Sequence, residues 1–504
     1  MRVTITRLLL AGALMPVAPA CADTLREALL KAYQTNPTIT GQRAGLRAID
    51  ETVPIARAAG LPSVDANGGY VENVLKATNS FTSPQRQATG NTQLTVPIYA
   101  GGAVRASVLG AETRVEAGRA QLRGTEADLF TAVVGAYQDV IRDEAIVGLN
   151  QQNVRVLDVN LRASRDRFQV GDLTRTDVAQ SEARLAIARA QLQSAEARLI
   201  SSRENYIRVV GTAPGQLEEA PALPNLPSSA DVAVDLALKN NPLLLAAARQ
   251  RDATRYDIAV ARAARLPQVN AVIGGNYYNY LGTLGSGTGP RVGQNGTSAT
   301  AGLAVNLPLF QGGRPAAQVR RAEALRSQAI EAVTETERAV IAQTRSSYAI
   351  WRSSQEVIAS SETAVAANRL SLQGVRAENG VGTRTILDIL NAEQELLNTQ
   401  VTLVTARRDA YVAGFALLAS IGAAEARDLG LDGGVLYDPT VNYDRVRHRI
   451  SDYGTDGEPS AVGTRTADTP RQDATVTRPL DPALDTPVDS RPNLTTGSAA
   501  PSRK

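Results

Sequence analysis

Apolar residues recur every seven positions along two long stretches of the chain. Val133, Val140, Val147, Val154, Leu161 and Phe168 form one series, and Trp351, Ile358, Val365 and Leu372 lie 211 residues after Val140, Val147, Val154 and Leu161. A strict seven-residue repeat drifts against the 3.6-residue helical turn and forces a left-handed supercoil, so each stretch is expected to be a long helix wound against neighbours. The segment from Gly102 to Val170 has no proline, and at about 1.5 Å per residue it could extend roughly 100 Å. Glycine breaks follow at Gly171 in the first stretch and at Gly380 and Gly382 in the second. Helical spacing then resumes through Val178, Leu185, Leu192, Leu199 and Tyr206 and ends near Gly211. Each stretch therefore reads as a helical hairpin hinged at those glycines. The two tips share a design: VGDLTRTDVAQSEARL from Val170 and VGTRTILDILNAEQEL from Val381 align Gly171 with Gly382, Asp177 with Asp388 and Glu182 with Glu393.

Ahead of each hairpin the period changes. Residues 63–98 and 267–309 are rich in Gly, Asn and Thr, with alternation clearest at Leu94, Val96 and Ile98, and read as β-hairpins. Pro97 with Gly101 and Gly102 should end the first, and Pro308 with Gly312 and Gly313 the second, because proline cannot donate to a ladder and paired glycines permit a sharp turn into helix. Asn36-Pro37 and Leu61-Pro62 recur as Asn241-Pro242 and Leu266-Pro267, and this repetition makes the chain an internal duplication. The predicted organisation is a leader at 1–22, a first repeat at 23–211 with its tip near 171, and a proline-rich linker at 212–229. A second repeat follows at 230–437 with its tip near 382, and then a tail at 438–504. A returning helix of about 37 residues cannot line one of about 69, and the helix of about 22 residues before each β-hairpin suits the uncovered end.

Composition narrows the function. With 43% hydrophobic and 20% charged residues the chain is that of an ordinary folded protein, and a net charge of +3 points to no nucleic-acid partner. The only cysteine, Cys21, and the only histidine, His448, leave no disulfide framework and little scope for zinc or histidine chemistry, so no cofactor is expected. No nucleophile, base and orienting group are suggested together, and an enzyme is not expected. Arg2 and Arg7 precede an apolar run to Val17, and Ala20-Cys21-Ala22 offers a cleavage site before Asp23. The alternative is a lipoprotein acylated at Cys21, against which Ala18 stands where leucine is usual. No other run suits a membrane-spanning helix, so entry into a membrane would have to use strands. Gly285 to Gly289 looks like a phosphate loop but lies between two strands and reads as a surface turn. Tyr277, Tyr278 and Tyr280 could mark one edge of a lipid band. Beyond about Tyr437 the chain is rich in Asp, Thr, Pro and Ser without periodicity. That composition predicts disorder, and predicts that Thr455 to Lys504 can be deleted without loss of assembly.

Four strands cannot close a barrel, because the hairpins leave bare edges, whereas three chains would supply twelve strands. At this point the chain resembles the TolC family of trimeric outer-membrane secretion and efflux ducts, through VGTRTILDILNAEQEL, the junctions VPIYAGG (Val96 to Gly102) and LPLFQGG (Leu307 to Gly313), and the repeated helix boundaries. The resemblance implies a mainly α chain in which long antiparallel coiled-coil helices form a periplasmic tunnel. It further implies a homotrimer closing a twelve-stranded barrel in outer-membrane lipid of a Gram-negative bacterium. The implied partners are a periplasmic adaptor and an inner-membrane ABC or RND-type transporter. It also implies a gate in which Asp388 lines the constriction and Arg384 ties the inner tip to Thr176 and Asp177 of the outer one. Asn391 stands where the family's acidic ring has a second aspartate, and Asn379 where a gate tyrosine is usual. Asp388 and Asn391, three apart on a helix, share a face, and a threefold axis would turn each into a ring; taken without the resemblance they read as a solvated polar face. The alternative to a duct is a periplasmic coiled-coil adaptor or structural protein with no barrel.

Overall fold

A computed structural model of the chain describes residues 23–75, 83–224, 226–285, 292–431 and 436–485. The leader, both β-turn tips including most of the Gly285 to Gly289 stretch, and residues 486–504 lie outside it.

Each repeat is built in the same order. Helices α1 (Leu25–Thr35), α2 (Pro37–Asp50) and α3 (Thr52–Ala58) lead to strands β1 (Ser63–Glu72) and β2 (Arg86–Ala100), then to α4 (Ala103–Gln169) and α5 (Arg175–Val210). The second pass runs α6 (Ala230–Asn240), α7 (Pro242–Ala263), β3 (Gln268–Asn279), β4 (Asn295–Asn306), α8 (Arg314–Gly380) and α9 (Ile386–Ser420). The long helices α4 and α8 are each 67 residues, displaced by the 211 positions read from the heptads. The helix of about 22 residues expected before the first β-hairpin is instead divided at Glu51 into α2 and α3, where Pro54 lacks the N–H that would bond back to Asp50.

The short helices complete the long one by meeting it end to end with the returning helix. Asn36 caps α2 by accepting from Thr38 N at 2.8 Å, and its Nδ2 donates to Val209 O in the last turn of α5 at 2.7 Å. Asn241 repeats both bonds, accepting from Leu243 N at 3.0 Å and donating to Ser420 O of α9 at 2.9 Å. One buried side chain thus satisfies an N–H at one helix terminus and a carbonyl at the next. Helix α4 is the centre of the chain, packed against α5, α7 and α9 and touched by α1, α2 and α3. Its buried Phe130, Tyr137 and Leu149 join Leu199, Tyr206 and Phe415 in one core.

The strands form one antiparallel sheet in the order β1-β2-β3-β4, so β2 pairs with β3 and the two hairpins are continuous. Register separates two faces. Val64, Tyr70, Leu94, Val96, Ala271, Ile273, Tyr277, Ala301, Leu303 and Val305 lie on one, while Asp65, Asn67, Asn91, Gln93, Asn270, Asn276, Ser298 and Thr300 lie on the other. Pro97 does not end its strand as expected. β2 continues to Ala100, because β1 stops pairing at Thr95 and a register shift between Pro97 and Tyr99 absorbs the missing donor. Pro308, by contrast, follows the end of β4. Gly102 and Gly313, at φ +81 and +82, open the long helices. A Cβ on Gly101 would lie 2.9 Å from Ala263 O, so a close approach as well as the turn requires glycine there.

The tail contradicts its composition. Residues from Tyr437 onward form α10 (Thr440–Val446), which packs on α2, and then an extended strap that runs over the helices as far as Asp485. Asn442 donates to buried Asp50 at 2.8 Å, Thr464 N donates to Thr35 O at 3.2 Å, and Leu484 is 2% exposed in the main core. The strap needs no periodicity because single residues fill gaps between helices and its polar backbone is met by side chains already there. Deleting Thr455 onward therefore removes packed structure.

Replacing Asn241 with alanine removes a helix cap and a buried bond at once. A loss of about 1–3 kcal/mol is expected, read as a lower denaturation midpoint of the helical signal, with Asn36→Ala behaving alike.

Candidate functional site: the paired helix tips

Both tips are closed by the same local chemistry. Gly171 and Gly382 take φ +85, which a side chain would strain, and reverse the chain after the long helix. Gly380 does not share this role, since it is the last residue of α8 and lacks positive φ. Thr174 and Thr385 then cap the returning helices. Asp177 N donates to Thr174 Oγ1 at 3.3 Å while the Asp177 carboxylate accepts from Thr174 N at 2.9 Å and from its hydroxyl at 2.7 Å. Asp388 does the same with Thr385, at 3.4, 2.9 and 2.8 Å. These are reciprocal capping boxes. The hydroxyl and backbone of Thr174 hold the Asp177 carboxyl below the usual carboxylate range, and the backbone and hydroxyl of Thr385 do so for Asp388.

The expected link from Arg384 to Thr176 and Asp177 is not made within the chain. Arg384 Nε donates to Glu378 Oε2 at 2.8 Å, at the end of its own hairpin, where both groups are half exposed and the pair contributes little. Thr176 is exposed, and Asp177 is committed to its cap. The bond that does join the hairpins comes from Arg184 of α5, whose Nη2 donates to Asn391 Oδ1 of α9 at 2.8 Å. Arg184 has a faint signature: its counterpart 211 positions on is Glu395, a charge reversal between two tips that keep Gly, Thr, Asp, Glu and Leu at matching positions. Asn379 is 5% exposed and donates to Arg384 O at 2.8 Å, holding the second tip loop from inside. One turn deeper, Arg165 pairs with Glu182 at 2.7 Å across the first hairpin, and Arg376 pairs with Glu393 across the second. Burial raises the Glu393 carboxyl, with Arg376 opposing. The two hairpins also share a small apolar cluster, in which Leu390 of α9 sits among Leu157, Leu161, Leu185 and Ala188.

What this arrangement can do is bounded by its strengths. Each hairpin is internally fixed by its cap, its ion pair and its heptad seam. The hairpins are held to each other near the tips by one exposed hydrogen bond and one apolar contact, so relative motion of two rigid tips is the low-cost deformation. Among the described residues no helix is long and apolar enough to cross a membrane.

The carboxylates of Asp177 and Asp388 have depressed folded-state pKa values. Their stabilisation is present above the ordinary value of 3.8 and is lost as pH falls through the depressed values. Hydrogen exchange in the first turns of α5 and α9, corrected for intrinsic rate, should be flat from neutrality down to that range and rise below it. A rise already complete near pH 6 would contradict the capping account.

Comparison with known proteins places this geometry. The profile of the family described as outer membrane efflux protein matches residues 28–212 and 233–423, the two repeats. The chain is 34% identical over 441 residues to outer membrane efflux protein BepC of Brucella suis, covering 88% of this chain and 94% of that protein. It is 25% identical to outer membrane protein TolC of Vibrio cholerae, over 81% of this chain and 92% of that one. Its fold is similar to the crystal structure of the Campylobacter jejuni CmeC outer membrane channel, with a TM-score of 0.71 at 14% identity over 85% of this chain and 90% of that one.

Proposed function

Because the chain belongs to the outer membrane efflux protein family, we propose that three copies close a twelve-stranded barrel above a periplasmic helical tunnel, forming a duct for efflux of small molecules or type I secretion of polypeptides. The protein resides in the outer membrane. The observation that carries the trimer is the sheet: four strands with one apolar and one polar face, ending in unpaired edges at β1 and β4. Lipid does not tolerate such edges, and β4 of one copy beside β1 of the next removes both. Eight strands make a barrel filled by its own side chains, so three copies are the smallest ring with an aqueous lumen. The long helices agree. Helix α4 is largely buried, whereas α8 exposes Leu325, Ile330, Ile350 and Val357, an apolar surface that neighbouring copies would cover. A periplasmic adaptor without a barrel would have no use for the apolar sheet face. The duct works with a periplasmic adaptor and an inner-membrane transporter of ABC or RND type, and cargo passes through it without covalent chemistry.

The anchor in this reading is the barrel. Asp23 is docked against the helical body, its N–H donating to Gln216 O at 2.9 Å and its carboxylate paired with Lys31 at 3.0 Å, and Tyr137 Oη lies 2.9 Å from its carbonyl oxygen. Tyr137 lies about 50 Å along α4 from the strand junction at Gly102, whereas the two-residue step from Cys21 to Asp23 spans at most about 7 Å. An acyl chain on Cys21 would not reach the bilayer that holds the strands. Sedimentation in detergent should report three chains, each with the intact mass of residues 23–504 and no lipid adduct; a stable monomer with full strand content would remove the barrel.

At the tips, the proposed gate consists of the Arg184–Asn391 bond between hairpins, with Asp388 of the three copies facing the axis as an acidic ring. Arg384 and Asp177 contribute by closing their own tips. Arg184→Ala should raise planar-bilayer conductance of an intact trimer, and Asp388→Ala should lower its cation preference without opening it. Unchanged conductance in a correctly assembled Arg184→Ala trimer would take this residue out of the gate.

A further inference from the structure

The strap that follows α10 crosses from the first repeat to the second and bonds to every long helix on the way. Arg203 of α5 donates to Asp473 O at 2.9 Å and to Thr475 O at 2.7 Å, while pairing with buried Glu144 of α4. Thr477 donates to that same Glu144 at 3.0 Å. Beyond Pro479 the strap passes to the second hairpin. Arg407 of α9 pairs with Asp481 at 2.9 Å, Arg369 of α8 donates to Ala483 O at 2.7 Å, and Gln400 of α9 donates to Leu484 O at 2.7 Å. Gln152 of α4 then donates to Asp485 at 3.1 Å, so the strap ends back on the first hairpin.

Apolar contacts follow the same path. Leu484 is 2% exposed, Leu480 lies 3.6 Å from where a Cβ on Gly148 would stand, and Val476 and Leu480 help enclose a cavity of about 400 Å³ with Ile141, Val404 and Tyr411. The position matters as much as the contacts. Gln400 lies fourteen residues into α9, about 20 Å from the tip, and Arg203 about 40 Å from the tip of α5. The strap therefore spans the lower body of the helices, where a relative tilt of the hairpins would begin.

We propose that residues 473–485 are a clasp that fastens the α4–α5 hairpin to the α8–α9 hairpin and opposes the relative motion by which the tips part. The tips themselves share one exposed hydrogen bond and a small apolar cluster. The clasp adds bonds to both hairpins through a buried arginine, a buried carboxylate and a buried leucine, beside the α4–α9 packing and the Arg408–Asp139 pair that also join them. Its link to opening rests on the duct reading; its role as a fastener does not.

The test uses the full-length trimer carrying Leu484→Ala and Asp481→Ala, with deletion of 486–504 as a control. Trimer should persist, and hydrogen exchange in residues 138–153 of α4 and 397–411 of α9 should rise on the order of tenfold or more, with the control matching the parent. Conductance should rise in the same variant. Unchanged exchange overturns the clasp, and faster exchange with unchanged conductance overturns its link to opening. If the double variant does not assemble, Thr477→Ala, which removes one hydroxyl, must shift both readouts in the same direction or the proposal fails. A parent and an Arg184→Ala trimer that both fail to conduct count against the duct, and the exchange measurement still decides the clasp.

Discussion

The structure depends on joining two short helices end to end so that together they cover one long one. Helix α4 extends about 100 Å, and neither α5 nor the α2–α3 pair can line it alone. Every helix end leaves backbone groups without partners, and a junction inside a bundle would bury them unsatisfied. The Asn-Pro pair resolves this with one side chain. Proline opens the new helix at the position where no N–H is needed, and the asparagine amide accepts from its first turn while donating to the last turn of the helix above. The two helices then point the same way, negative end to positive end, which the helix dipoles favour. Because Asn241 repeats these bonds with Ser420, the join is a property of the repeat.

Most of this architecture was legible because it is periodic. The heptads at Val133 through Leu161 and their echo at Trp351 through Leu372 gave two long helices and a common register, and α4 and α8 have equal length at that offset. Alternation at Leu94 and Val96 located a strand and its apolar face. Pro97 misled because a proline excludes itself from a ladder only where both neighbours continue, and β1 had already ended. The pairing of β2 with β3 lay beyond a reading of separate hairpins, since nothing in either one specifies which edge meets which.

The tail and the contacts at the tips were illegible for a different reason. Val476, Leu480 and Leu484 are spaced as on a helix, but Pro479 and Pro482 forbid one, and only the grooves they fill give them meaning. Composition judges whether a segment can build a core of its own; it does not register a segment that completes a core built by others. Arg203 and Arg407 carry equivalent ambiguity, because an arginine in a helix looks the same whether it faces water or a strap carbonyl. At the tips, the resemblance pointed to Asp177 and Asp388 as gate groups. Within the chain their partners are Thr174 and Thr385, three residues earlier, a Thr-x-x-Asp capping box spelled out in both motifs.

That reassignment strengthens the case for charge at the tip. A carboxylate aimed freely at a threefold axis would face two others, and mutual repulsion would raise its pKa until some of the ring was neutral. Asp388 is instead tied to the N-terminus of α9, where the backbone N–H and hydroxyl of Thr385 favour the ionised form. In the proposed trimer each copy would bring its own stabilised anion, so the ring stays charged without a counter-ion from the protein. The bond that caps the helix is then also the one that keeps the constriction negative, so removing the whole side chain alters helix structure and ion preference together. A substitution that preserves the cap while removing the charge, such as Asp388→Asn, separates the two contributions where alanine removes both.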